Sequence, residues 1–274
     1  VVDNSEGTSD SWGVMDIGVG RLPVSSVASA EGVAQKIATY LRNENPGKWQ
    51  QQLMFVADDG DGNLHTRISD LAAERVRLKN KSFVVNKIYL DAYPQEKSAS
   101  GESYPQAKSR FLNLLNSGVL FFDYSGHGGY NNISSEMLLS LRDCKLMTNA
   151  NQGFWMLATC GFAHFDAYET SASEEAVINP DGGAIAVMSA CRTVYASQNK
   201  LINQHLCDTL FGHKNDFSYR MTIGEACRIA KSMTGLADEN KLPYILLGDP
   251  AVRLAYPDDY RVVTTTDLDT LHAL

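Results

Sequence analysis

Apolar runs of strand length alternate with segments of helical period from Leu53 to Leu247, and this alternation restricts the fold more than any other feature of the chain. Leu53 to Ala57, Phe83 to Leu90, Val119 to Tyr124, Phe154 to Ala158, Ala184 to Ser189 and Pro243 to Leu247 read as buried strands, after a short run at Met15 to Val19. Ala30 to Asn43 places Val33, Ile37, Tyr40 and Leu41 on one helix face. Thr66 to Lys79 does the same with Ile68, Leu71, Ala72 and Val76. Ala107, Phe111, Leu114 and Leu115 mark a helix that Gly118 ends. Further helices are predicted at Ser135 to Arg142, Ser173 to Ile178, Asn199 to Phe211 and Thr222 to Met233. Strands that take turns with helices bury both faces of their sheet. The expectation is an α/β fold with a mostly parallel sheet and helices on both faces.

One domain is expected over residues 12–256, between an N-terminal loop at 1–11 and a C-terminal tail or linker at 257–274. The chain opens on Val1 with no basic or apolar leader, so a mature form or an excised piece is expected. A net charge of −8 argues against a nucleic-acid partner, which needs a basic face. No apolar run reaches the roughly 18 residues of a membrane span. The 5 cysteines are too few for a disulfide scaffold, and their odd number leaves at least one unpaired within the chain.

Ligand and catalytic groups of open α/β sheets gather where the strands end. Two consecutive strands here end in reactive residues. Val119 to Tyr124 runs into Ser125-Gly126-His127-Gly128-Gly129, and Phe154 to Ala158 runs into Thr159-Cys160-Gly161. The two reactive residues are 33 positions apart, room for one helical crossover, so adjacent parallel strands are expected. That sets an imidazole beside a thiol, the pair required for nucleophilic thiol catalysis. The glycines of the His127 loop allow close backbone approach, and the amides of Gly128 and Cys160 are candidate oxyanion donors. A buried cysteine after a strand is often only a packing residue. Here the two residues occur together on consecutive strand ends, which favours chemistry.

The other thiols, Cys144, Cys191, Cys207 and Cys227, are scattered without a Cys-x-x-Cys pair, so no zinc site is expected from them. Cys191 follows the next strand and is the second candidate thiol; His164 is close to Cys160 in sequence, but His127 is preferred as the base because its loop supplies glycines and its strand is distinct. Asp58, Asp59 and Asp61 offer hard oxygen ligands, a possible calcium site without EF-hand spacing. No other cofactor or metal is expected.

The blocks Tyr124 to Gly129, Ala158 to Gly161 and Leu247-Gly248-Asp249-Pro250-Ala251, with Asp16 to Pro23, resemble the gingipain family of cysteine peptidases, of the caspase-like clan. The resemblance covers roughly residues 12–256 and lies nearest the sortase of the Bacteroidetes type IX secretion system. It implies a caspase-like fold, His127 and Cys160 as a catalytic dyad, and Gly128 and Cys160 amides as the oxyanion hole. It also implies an acidic residue behind the histidine; Asp59 in the Asp58-Asp59-Gly60 turn aligns best, to within one residue. Asn63 falls where arginine-specific members carry a pocket aspartate, which argues against a strong arginine preference. Tyr195 falls near a pocket aromatic. The family's first subdomain is nearly absent, since this chain begins at its final strand.

The implied activity is removal of C-terminal secretion signals from exported proteins, with transfer of the new C-terminus to an anionic lipopolysaccharide through a thioacyl-enzyme. The implied setting is the cell surface or outer membrane, among other outer-membrane components of the secretion system. Two alternatives stand beside it: a secreted endopeptidase of gingipain type, and an inactive peptidase-fold scaffold in a secretion assembly.

Overall fold

Six strands form the central sheet of the computed structural model, which describes residues 2–3, 14–99, 101–212, 221–234 and 239–257. They are β1 (Gln52–Ala57), β2 (Val84–Tyr89), β3 (Phe121–Ser125), β4 (Phe154–Ala158), β5 (Ala186–Ala190) and β6 (Tyr244–Leu247). Their order across the sheet is β6-β5-β4-β3-β1-β2. All neighbours are parallel except β6, which runs antiparallel to β5. This is the mixed α/β architecture expected from the alternation. Strands β3, β4 and β5 are buried at every position, which is why each is a continuous apolar run rather than an alternating one.

The helices are α1 (Val27–Leu41), α2 (Leu64–Lys79), α3 (Pro105–Ser117), α4 (Leu141–Leu146), α5 (Ala172–Ile178), α6 (Ala196–Phe211) and α7 (Ile223–Met233). One core layer joins α2, α6 and α7 to the sheet through Ala72, Val76, Leu206, Phe211 and Ala226 against Phe55, Phe121 and Met156. The other joins α3, α4 and α5 through Phe111, Leu115, Cys144 and Ala176 against Phe122, Trp155 and Val187. Successive residues of β3 therefore feed opposite layers, Phe121 one and Phe122 the other, as the strand pleat requires. On α1 the buried Lys36 donates to four carbonyl oxygens, those of Ala176, Val177, Asn179 and Gly182, at 3.2, 3.1, 2.9 and 2.7 Å. Two of these belong to the last turn of α5, where helix carbonyls lack intrahelical partners; Ala176 O also accepts the Ala184 amide at 2.8 Å.

Three segments differ from the expectation. No helix spans 135–140: Ser134 and Met137 take left-handed backbone conformations, and the Ser140 side chain caps a helix that starts at Leu141. In place of a strand over Met15 to Val19, only Val14–Met15 is extended, paired with Val2–Asp3, and Arg21 bridges the far edge of β6. A hairpin of Glu96–Ser98 with Gly101–Ser103, not foreseen, links β2 to α3. The sequence regions 4–11 and 258–274 lie outside the described residues.

Candidate active site

Ala57, Ser125 and Ala158 form one row across β1, β3 and β4 at their carboxyl ends. Asp58 is the next residue after this row on β1. His127 and Cys160 each lie two residues past it on β3 and β4. The register thus delivers a carboxylate, an imidazole and a thiol to one edge of the sheet. Chain order alone does not suggest this, because β2 and α3 intervene between β1 and β3.

The ladder continues briefly beyond the strands. The Asp58 amide donates to Ser125 O at 3.0 Å, and the Gly126 amide to Ala158 O at 3.4 Å. A Cβ at Gly126 would lie 2.4 Å from Asp58 Cβ and 2.3 Å from Tyr124 Oη, so a side chain there would push Asp58 out of place. At Gly128 a Cβ would lie 2.7 Å from Thr159 Oγ1. The histidine loop and the cysteine loop are therefore in direct contact.

Asp58 is 2% exposed. Its Oδ2 accepts the His127 backbone N–H at 3.0 Å and pairs with His127 Nδ1 at 3.0 Å. An oxygen already accepting the amide proton assigns Nδ1 as a second donor, which leaves Nε2 to face outward. Burial pushes the Asp58 carboxyl above its ordinary range, and the two His127 hydrogen bonds pull the other way. The His127 carbonyl accepts from Ser134 N at 2.9 Å and Tyr124 Oη at 2.8 Å. Both backbone groups of His127 are thus held, while its ring is 55% exposed.

Cys160 is half-buried, with Sγ 3.5 Å from both the N and the O of Val194. The neighbouring amides are engaged, Thr159 N with Leu157 O at 3.0 Å and Gly161 N with Arg192 O at 3.1 Å. No backbone acceptor among the described residues takes the Cys160 amide. This leaves it available to a developing oxyanion. Burial pushes the thiols of Cys144, Cys191, Cys207 and Cys227 upward, Cys227 to about 12. These four are held as thiols.

The carboxylate that meets the His127 ring is that of Asp58, one residue before Asp59. Asp59 Oδ2 instead accepts from Tyr104 Oη at 2.7 Å. Asn63 is exposed, at φ 61° in the turn that opens α2. Tyr195 is 69% exposed and follows the Val194 that touches Sγ. His164 Nε2 faces Asp166 at 3.3 Å.

Two residues not expected beside the His127 ring complete the edge: His65, and Asp61 from the expected calcium set. Asp61 Oδ2 lies 3.3 Å from His127 Nε2 and 3.3 Å from His65 Nε2. The His65 and His127 rings meet edge to face at 4.9 Å between centroids. Burial holds the His65 imidazole below its usual range. The four-residue spacing of Asp61 and His65 was the available signal. Of the acidic groups, Asp58, Asp59 and Glu136 each offer an oxygen within 4.8 Å of the others. Asp58 Oδ1 and Glu136 Oε2 are buried without a hydrogen-bond partner. Asp61, the third carboxylate of the expected calcium set, turns to the imidazoles instead.

A profile described as Peptidase family C25 matches residues 2–255. The solved Arg-specific cysteine proteinase gingipain R (RgpB) is similar at TM-score 0.70 and 16% identity, over 86% of this chain and 55% of that one. The complex of Porphyromonas gingivalis RgpB pro- and mature domains is similar at TM-score 0.69 and 14% identity, over 88% and 57%. The Saccharomyces cerevisiae separase–securin complex is similar at TM-score 0.53 and 15% identity, over 85% of this chain and 14% of that one. At these identities the likeness concerns the fold, and the chain spans little more than half the length of the gingipain structures. No curated protein matches the chain significantly.

Proposed function

Because the chain belongs to peptidase family C25, we propose that it is a cysteine peptidase in which Cys160 and His127 perform acyl transfer. One observation carries this reading. His127 and Cys160 leave neighbouring parallel strands at equal distance from the register pair Ser125–Ala158, with the buried Asp58 fixing the imidazole.

In the proposed reaction His127 Nε2 takes the Cys160 proton and the sulfur attacks a peptide carbonyl carbon. The carbonyl oxygen becomes an oxyanion, stabilised by the amides of Cys160 and Gly128. As the C–N bond breaks, His127 returns the proton to the leaving amine and a thioester remains. A second nucleophile, water or an amine, then gives its proton to His127 and displaces the sulfur. Asp58 stays bonded to Nδ1 and supports the imidazolium formed at each stage.

Within this chemistry the finer reading is a sortase similar to PorU of the type IX secretion system. Its substrates would be exported proteins bearing a C-terminal secretion signal, its acceptor an anionic lipopolysaccharide, and its setting the cell surface beside outer-membrane components of that system. The neutral Asn63 supports it over an arginine-specific secreted endopeptidase, which is the second reading. Among the described residues no helix is long and apolar enough to cross a membrane. A bound calcium ion would be held by Asp58, Asp59 and Glu136.

Mass spectrometry of the cleaved substrate tests the transfer. With an amine acceptor present, the new C-terminus is expected to carry it in amide linkage. A free acid alone, with the acceptor in excess, would reduce the reading to an endopeptidase. No cleavage at all, from a folded chain, would favour the scaffold.

A further inference from the structure

His65 is 4% exposed, and neither of its ring nitrogens has a hydrogen-bond partner among the described residues. A buried polar ring without a partner carries a desolvation cost that calls for an explanation. Its Nε2 is aimed at Asp61 Oδ2, 3.3 Å away, and the same oxygen lies 3.3 Å from His127 Nε2. One ligand atom from each of the three residues falls within 4.8 Å of those of the other two. Zinc bonds of 2.0–2.2 Å to nitrogen and oxygen place neighbouring tetrahedral ligands about 3.3–3.5 Å apart. Two of the three edges already have that length. Behind His127, Asp58 accepts the Nδ1 proton, the carboxylate–histidine arrangement that orients metal-bound imidazoles.

An imidazolium held between Asp58 and Asp61 would account for His127 and Asp61 with no metal. It leaves both His65 ring nitrogens without a hydrogen bond, because the Asp61 oxygen that faces Nε2 is then engaged by His127. A cation shared by the two rings satisfies all three residues. Two imidazoles and one carboxylate suit a borderline-soft divalent ion rather than calcium or magnesium.

We propose that Asp61, His65 and His127 bind a divalent transition-metal ion of the zinc class, with an open fourth position, and that the ion acts as a reversible brake by occupying His127 Nε2. The brake rests on the acyl-transfer reading above; the binding site does not. Bound metal removes the nitrogen that must shuttle the Cys160 proton. Metal loss returns it, with Asp58 keeping the ring in place throughout.

Titration of Zn2+ into the whole chain, against a chromophoric chelator, tests the site. The Cys160→Ala background removes the candidate nucleophile, one of the two part-exposed thiols, Cys191 being the other. One ion per chain is expected, and Asp61→Asn and His65→Gln should each weaken binding at least about tenfold. Asp61 is exposed, so Asp61→Asn remains informative if the buried His65→Gln misfolds. Co2+ in place of Zn2+ should give visible d–d bands without a thiolate charge-transfer band. Undiminished affinity in Asp61→Asn, or a thiolate band, would overturn the site. The brake is read as the ratio of Cys160 alkylation rates without and with Zn2+, so that changes in basal rate cancel. The ratio should be at least about 10 in the native chain and near 1 in Asp61→Asn. An equal ratio in both would overturn the brake. Metal-free Cys160 that alkylates no faster than the buried Cys144 would overturn the dyad and the brake with it, whereas the titration judges the site alone.

Discussion

Asp58 Oδ2 accepts both the backbone N–H and the ring Nδ1–H of His127, each at 3.0 Å. One buried oxygen thereby sets the position of the residue and the tautomer of its ring. Asp58→Asn should lower kcat by about 10²–10⁴-fold, because a neutral amide supports an imidazolium poorly and can select the other tautomer. Asp59→Asn loses a bond from Tyr104 but no hydrogen bond to His127, and without added Ca2+ should keep kcat within roughly threefold of the native chain. Steady-state kinetics of the two variants, side by side, check the assignment. Equal losses would mean that the turn as a whole supports His127.

The strands that were legible in the sequence are those buried on both faces, because total burial demands an unbroken apolar run. Phe154 to Ala158 needed no adjustment at either end. The adjacency of β3 and β4 was legible too, since a single crossover joins them. The direction of β6 was not, because an antiparallel edge strand reads like a parallel one. The meeting of Asp61 and His65 with His127 was illegible for a topological reason. They stand near His127 only because β1 lies beside β3, while β2 is sent to the sheet's edge. The shift from Asp59 to Asp58 has a similar origin. A turn of consecutive aspartates does not reveal which carboxylate points inward.

The four remaining thiols provide an internal reference for Cys160. All four are pushed upward by burial, and three of them are fully buried. At pH about 6, iodoacetamide should modify Cys160 at least about tenfold faster than any other cysteine. Peptide mapping over time measures this. Uniform slow labelling of all five would contradict a nucleophilic role.

Lys36 ties α1 to the end of α5 through four carbonyl oxygens. Lys36→Met keeps the aliphatic stem but takes this donor from the Val177, Asn179 and Gly182 carbonyls, while Ala176 O keeps the Ala184 amide. A loss of roughly 2–4 kcal/mol is expected, since an unpaired buried polar group costs about 1–3 kcal/mol and several are exposed to that cost here. Urea unfolding with an unchanged m-value would confirm it. A loss below about 1 kcal/mol would mean that water replaces the ammonium.

The carboxylates Asp58, Asp59 and Glu136 should bind Ca2+, with two buried oxygens lacking any other partner. At a concentration 100 times Kd, a ligand specific to the folded state adds about 2.7 kcal/mol. Thermal unfolding should therefore shift upward with Ca2+, and Glu136→Gln should abolish the shift. An equal shift in that variant would place the ion elsewhere.

Asp123 sits fully buried at the centre of β3, with Oδ1 accepting from Asn203 Nδ2 at 3.2 Å and Oδ2 unpartnered. Burial pushes its carboxyl up to about 8, only partly opposed by Asn203. The folded chain thus holds a proton that the unfolded chain releases near pH 3.8. Between that pH and about 8 the unfolded state binds fewer protons, so this residue makes stability fall as pH rises. Above about 8 the loss is complete, because both states are then ionised. Asp123→Asn supplies a permanently neutral group of the same shape. It should flatten this part of the pH dependence and exceed the native chain at pH 8 by a few kcal/mol, on the order set by 1.36 kcal/mol per pKa unit. Urea unfolding at pH 5 and pH 8 decides: the gap between native and variant must widen at the higher pH. A constant gap would mean that Asp123 is ionised in the fold throughout, with its charge met by Asn203 and the surrounding strands.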